Sequence, residues 1–175
     1  MAINHFLADV ERRAFRMAQL ATGNADDSLD LVQDAMLDFA RRYALKPEGE
    51  WPALFYRVLQ SRITDWHRRA TVRNRFRVWF RSRNDEDEGE DPFSKVADPS
   101  PDPSRMLMSK VSGEAIMAAL RTLSLRQQQA FLLRSWEGLD VAQTAFAMGC
   151  SEGSVKTHYS RAVHSLQRLL EEYRP

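Results

Sequence analysis

Between Asp140 and Leu166 the chain reads DVAQTAFAMGCSEGSVKTHYSRAVHSL, and few folds satisfy that pattern. It predicts two short helices joined by a tight turn. Ala145, Gly149 and Val155 stand four and then six residues apart. Alanine on the first helix lets the second cross it closely. Glycine in the turn takes a positive φ that a side chain resists. Valine on the second helix fills the space between the two. Asp140 with Gln143 three residues later is a capping-box pattern, and Ser151 is placed to cap the second helix. The arrangement is that of a helix-turn-helix, whose second helix enters the major groove of DNA. A plain helical hairpin is the competing reading.

The second helix has a definable outer face. Val155, Tyr159, Ala162 and Leu166 recur at helical spacing and must face inward. At about 100° per residue, the opposite face carries Gly153, Thr157, Ser160, Arg161 and His164, with Lys156 and His158 on the flanks. That set is small, polar and cationic, as a groove-reading surface requires.

Charge is strongly segregated along the chain, although the net charge is only +1. Arg68 to Arg83 holds seven arginines and no acid, whereas Asp85 to Asp102 holds eight acids and one lysine. Four prolines join the acids between Asn84 and Ser104, so residues 84–104 are expected to be an acidic flexible linker. Glycine and proline are otherwise scarce and no segment alternates with period two, so the expected fold is all-α. It consists of two small helical domains, 1–83 and 105–175, with the helix-turn-helix in the second. Helices are expected over His5 to Ala21, Asp27 to Ala44 and from Ala53 onward. Leu29, Val32, Met36, Phe39 and Tyr43 form the inward stripe of the second. In the second domain one helix ends near Leu123. The next is capped by Ser124, with Gln127 as its capping-box partner, and ends at Gly138.

The arginine block is spaced as a helix. Arg69, Arg73, Arg77 and Arg81 recur every four residues, with Val72, Phe76, Trp79 and Phe80 as an opposing apolar stripe. The block tracks DNA phosphates, docks its apolar side on a protein partner, or packs against its own domain.

Cys150 is the only cysteine, which excludes an internal disulfide and suits a small apolar role. His5, His67, His158 and His164 are scattered without ligand partners at useful spacing, so neither a metal nor a cofactor is expected. No nucleophile elbow or phosphate loop supports an enzyme. No apolar run reaches the length of a membrane span and no signal-peptide pattern opens the chain, so a cytoplasmic location is expected.

The segment from Ser124 to Leu166 resembles the C-terminal DNA-binding domain of bacterial RNA polymerase sigma factors. DLVQDAMLDFARRY and LFYRVLQSRITDWHRR resemble their core-binding and promoter-melting domain. Two such domains and a linker are similar to the small extracytoplasmic-function group. The resemblance implies a promoter-specificity subunit that binds core RNA polymerase, recognises two promoter elements and assists duplex opening. It places Asp30, Gln33 and Asp34 in the stretch that docks on the polymerase's largest subunit. It places Trp51 in the loop, Leu45 to Pro52, that captures a flipped base of the downstream element. Arg57, Asp65, Arg68 and Arg69 match the following helix, while Leu54 stands in place of a tryptophan and Ser61 in place of an asparagine. Arg73 and Arg77 extend this downstream set. Ser154, Lys156, Thr157, His158, Ser160 and Arg161 are implied upstream contacts, with His158 replacing a usual arginine. The sequence leaves open whether an anti-sigma protein binds the chain. A stand-alone helix-turn-helix regulator is the alternative, but the N-terminal half lacks the βα pattern of a receiver or ligand domain.

Overall fold

The computed structural model describes residues 1–84 and 113–172. The expected acidic linker, apart from Asn84, and the start of the second domain lie outside the described residues. Every regular element among the described residues is helical.

The N-terminal lobe comprises α1 (Ala2–Thr22), α2 (Ala25–Tyr43) and α3 (Trp51–Asn84), with a 3-10 turn over Glu48–Glu50 before α3. Asn24 opens α2 by accepting the Asp27 N–H on its side chain at 3.0 Å. Apolar side chains then close the lobe. Phe39 meets Phe6 at 5.5 Å, Phe55 at 5.8 Å and Trp51 at 6.3 Å between ring centroids. The inner stripe of α2 differs from the expected one at its start. Leu29 is exposed, and the buried residues are Ser28, Val32, Ala35 and Phe39. A small residue there lets α2 approach α1, and the Ser28 hydroxyl donates to the Asn24 carbonyl at 2.6 Å, so no polar atom is stranded.

The C-terminal lobe comprises α4 (Gly113–Thr122), α5 (Leu125–Phe131), α6 (Val141–Met148) and α7 (Glu152–Glu171). Both bonds of the Asp140–Gln143 capping box form, at 2.7 and 3.0 Å. Gly149 ends α6 at φ 65°, and Ser151 caps α7. Ser124 accepts from the Gln127 N–H at 3.3 Å. Its helix does not run evenly to Gly138, because α5 widens into a π turn over Leu132–Trp136.

That widened turn, followed by Gly138 at φ 67°, carries Glu137 onto the N-terminal lobe. The carboxylate is only 6% exposed and accepts from Arg13 Nε at 2.9 Å. Burial works against the Arg13 charge, but Glu137 and Tyr56 together outweigh it and raise the Arg13 pKa. Burial, with Glu137 adding to it, pushes the neighbouring Tyr56 phenol far up, so Tyr56 stays neutral. Gln129 Nε2 donates to Thr64 Oγ1 at 3.3 Å, and Gln128 Nε2 donates to the Leu20 carbonyl at 3.4 Å and the Leu120 carbonyl at 3.1 Å. Helix α6 lies along α3.

Arg13→Ala is expected to destabilise the protein by about 1–3 kcal/mol, because it strands a buried carboxylate. Adding Glu137→Gln should recover part of that loss. Denaturant melts check both, and a cost no greater than that of Arg12→Ala would show that the ion pair contributes nothing.

Candidate nucleic-acid interface

Helix α7 is built as a wedge. Val155 and Ala162 are wholly buried and Leu166 nearly so. Tyr159 completes that side by stacking on Phe131 at 6.2 Å and sharing a 3.1 Å hydrogen bond with Ser135. The opposite side is open, since Gly153, Lys156, Thr157, Ser160, Arg161 and His164 are exposed. Ser154 and His158 are half-buried beside it, and Ser154 Oγ accepts from the Ser151 hydroxyl at 2.9 Å. Burial lowers the His158 pKa, and the charges of Arg126 and Arg161 lower it further. The imidazole is therefore neutral at pH 7. Arg126 was not picked out in the sequence. Its Nη1 donates to the Met148 carbonyl at 2.7 Å, a helix-end contact that brings a cation from α5 to the edge of α7.

Helix α3 divides the residues expected to meet the downstream element. Trp51 is 5% exposed and packs between Phe6 and Phe39, so it is a core anchor and offers no face to a base. At about 100° per residue, Arg57, Ser61, Asp65 and Arg68 fall within an arc of about 80° opposite Phe55, Leu59 and Ile63. All four line one cleft of about 210 Å³. Its far wall is the C-terminal lobe, through Arg126, Met148 and Gly149. Just beyond, Arg57 Nη1 donates to the Phe146 carbonyl at 2.8 Å, and its guanidinium lies 4.5 Å from the centre of the Phe146 ring. Arg69, Arg73 and Arg77 are exposed but turn away from this cleft. The apolar residues near them are not part of the buried core, and Val72, Phe76, Trp79 and Phe80 are each more than half exposed.

Asp30, Gln33 and Asp34 are exposed along one edge of α2. Asp34 also lies 3.7 Å from Arg62, whose other nitrogen donates to Asp38 at 2.8 Å. The Arg62 hydrogen bond holds the Asp38 carboxyl below its ordinary range, with Arg42 adding to that. Beside this edge, a groove of about 490 Å³ between α1 and α2 is lined by Phe15, Leu29, Val32 and Gln33 among others. Among the described residues, no group of three or more His, Cys, Asp or Glu could hold a metal ion, and no helix is long and apolar enough to cross a membrane. Cys150 is half-buried, and burial raises its pKa, which keeps it a thiol at neutral pH.

The sigma-70 region 4 family model matches residues 113–173. The ECF RNA polymerase sigma factor EcfG of Rhodopseudomonas palustris is 30% identical over 160 residues, covering 90% of this chain and 78% of that protein. The ECF RNA polymerase sigma factor BldN of Streptomyces coelicolor is 41% identical over 70 residues, which are 40% of this chain and 26% of that protein. The sigma factor RpoE of Bartonella quintana, solved in complex with the anti-sigma factor NepR, has a similar fold. Its TM-score is 0.63 at 23% identity, over 98% of both chains.

Replacing Arg126 by glutamine should move the His158 titration upward, toward its ordinary value of 6.5, because one of the two neighbouring cations is removed. An NMR pH titration of the ring protons checks this, and an unchanged midpoint would leave burial and Arg161 as the whole cause.

Proposed function

The chain belongs to the ECF sigma factors of bacterial RNA polymerase, and on that premise we propose that it is a promoter-specificity subunit acting in the cytoplasm. It has no catalysis of its own. It docks on core polymerase, reads an upstream element as duplex and holds a downstream element as it melts. The observation that carries this reading is the exposed cationic side of α7, set on a capped helix pair whose inner side is buried.

The roles proposed for single residues rest on the family resemblance, and their exposure supports them. Asp30, Gln33 and Asp34 form the polymerase-docking edge. Lys156, Thr157, Ser160 and Arg161 face the major groove, with Ser154 and His158 at its rim. Arg161 offers a planar pair of donors to a guanine edge, and Lys156 offers a point charge to phosphate. Neutral His158 supplies a single hydrogen bond, not an arginine fork. Arg57, Ser61, Asp65 and Arg68 hold the downstream element. They now face the C-terminal lobe, so the lobes part when both elements are bound. The two lobes act as separate domains joined by the segment between them. A sigma inhibitor could use the same separation, since a relative of this fold was solved with an anti-sigma factor.

Run-off transcription with purified core polymerase tests the reading as a whole. Failure to direct initiation at any promoter in a genomic library would favour a stand-alone DNA-binding regulator. Asp30→Lys should weaken binding to core polymerase on the order of tenfold, about 1.4 kcal/mol, without changing helicity. Undiminished co-purification would remove Asp30 from the docking edge.

On promoter variants, Arg161→Ala should cost about 1–3 kcal/mol and relax base preference at one upstream position. Lys156→Ala should weaken all variants alike and lower the salt slope by about one. Wild-type rates from both variants across a salt series would mean that α7 does not read DNA.

A further inference from the structure

The body of the N-terminal lobe ends before α3 does. Trp66 Nε1 donates to Asp27 at 3.0 Å, and His67 Nε2 donates to the Ala21 carbonyl at 2.6 Å. From Thr71 to Arg81 every residue is exposed, yet the helix continues to Asn84. At 1.5 Å per residue the stretch beyond His67 projects about 25 Å. Large apolar side chains are unusual on such an arm, but Phe76 is 57% exposed, Trp79 52% and Phe80 56%. The rings are ordered against one another. Phe76 and Phe80 stack with centroids 6.4 Å apart, and Trp79 meets Phe80 edge-on at 5.3 Å.

The direction of these stripes decides what they can serve. At about 100° per residue, the arginines at 73, 77 and 81 continue the face that buries Phe55, Leu59 and Ile63 lower down. The aromatic stripe instead continues the edge of Arg57, Ser61, Asp65 and Arg68, its centre about 50° away. The two stripes are about a quarter-turn apart, not opposed, and Phe80 falls between the directions of Arg69 and Arg73. A helix lying in a lipid interface separates its cations from its apolar face, and an apolar protein groove would have to bury the intervening guanidinium groups. Side-by-side rings and cations suit a strand that carries flat bases on one side and phosphates on the other.

We propose that the aromatic stripe of the α3 arm, Val72, Phe76, Trp79 and Phe80, is a stacking platform for single-stranded nucleic acid. A strand leaving the Arg57–Arg68 edge runs directly onto it. Bases lie on the rings, while Arg73 and Arg77 take the adjoining phosphates. This rests on the reading of the chain as a subunit that holds melted promoter DNA, and it extends that strand's path by roughly the arm's length.

The test uses the full-length chain and a fluorescein-labelled oligothymidylate, with a duplex of the same length and phosphatidylglycerol vesicles as parallel probes. The variant Phe76→Ala/Trp79→Ala/Phe80→Ala keeps strong helix formers on an exposed surface, so the fold should survive. Its affinity for the oligothymidylate should fall about tenfold or more, with duplex affinity nearly unchanged. Arg73→Gln/Arg77→Gln should weaken both probes and flatten their salt dependence. Wild-type affinity of the aromatic variant for oligothymidylate overturns the proposal, as does wild-type binding to vesicles and not to the oligomer. The transcription assay separates the two readings. A chain that directs initiation while its aromatic variant binds oligothymidylate normally remains a sigma factor without this platform. A chain that fails to direct initiation but loses oligothymidylate binding in the variant keeps the platform and loses the sigma reading.

Discussion

Helix α3 is one continuous helix of 34 residues, and its fixed period sets the direction in which each described side chain points. On one side, Phe55, Tyr56, Leu59 and Ile63 are buried in the N-terminal core. On the other, Arg57, Ser61, Asp65 and Arg68 line the cleft with the C-terminal lobe. Removing the core contacts would release the helix, and with it the aim of every residue proposed to meet the downstream element. The same continuity carries the core's orientation outward to Phe76 and Phe80, which touch nothing of the core themselves. A flexible segment in the same place would spread those rings over many directions and lose the alignment with the cleft edge.

The seam between the lobes combines two kinds of contact. Buried apolar residues of both lobes belong to one cluster, and a charge pair, two glutamine amides and an arginine over an aromatic ring add polar contacts to it. Polar contacts of this kind can be exchanged for water or for a partner's groups at modest net cost, unlike an apolar core. Such a seam can hold the lobes together and still let them part. Arg57, Ser61, Asp65 and Arg68 stay exposed along the cleft beside this seam, and the outer side of α7 is open as well.

Local signals in the sequence were sufficient around the helix-turn-helix, while of the expected Ser124–Gln127 box the Ser124 cap forms. The Asp140–Gln143 box, the Ser151 cap and the positive φ at Gly149 all form as read, and so does the inward set of α7. Periodicity was less reliable at the edges of a stripe. Leu29 has the more apolar side chain, but Ser28 has the buried position, because closeness to α1 favours a small residue. Trp51 shows the same limit. The expected loop to Pro52 ends earlier, because Trp51 already opens α3, and the neighbouring Phe6 and Phe39 make it a core residue. The polar run Gln127 to Gln129 looks solvated in one dimension, yet Gln128 and Gln129 are buried at the seam.

The sequence by itself determined the helical class, the helix-turn-helix and its outer face, and the division of charge between an arginine block and an acidic segment. Each depends on residues within a few turns of one another, where backbone geometry and capping chemistry act. The tertiary structure alone decided that Glu137 reaches Arg13, that Arg57 is held by Phe146, and that the aromatic stripe of α3 lines up with the cleft edge. The first two join residues 124 and 89 positions apart. The third depends on α3 staying helical without a break through the arginine block. Local patterns cannot encode the first two pairings, because they arise from where two packed bodies come to rest against each other.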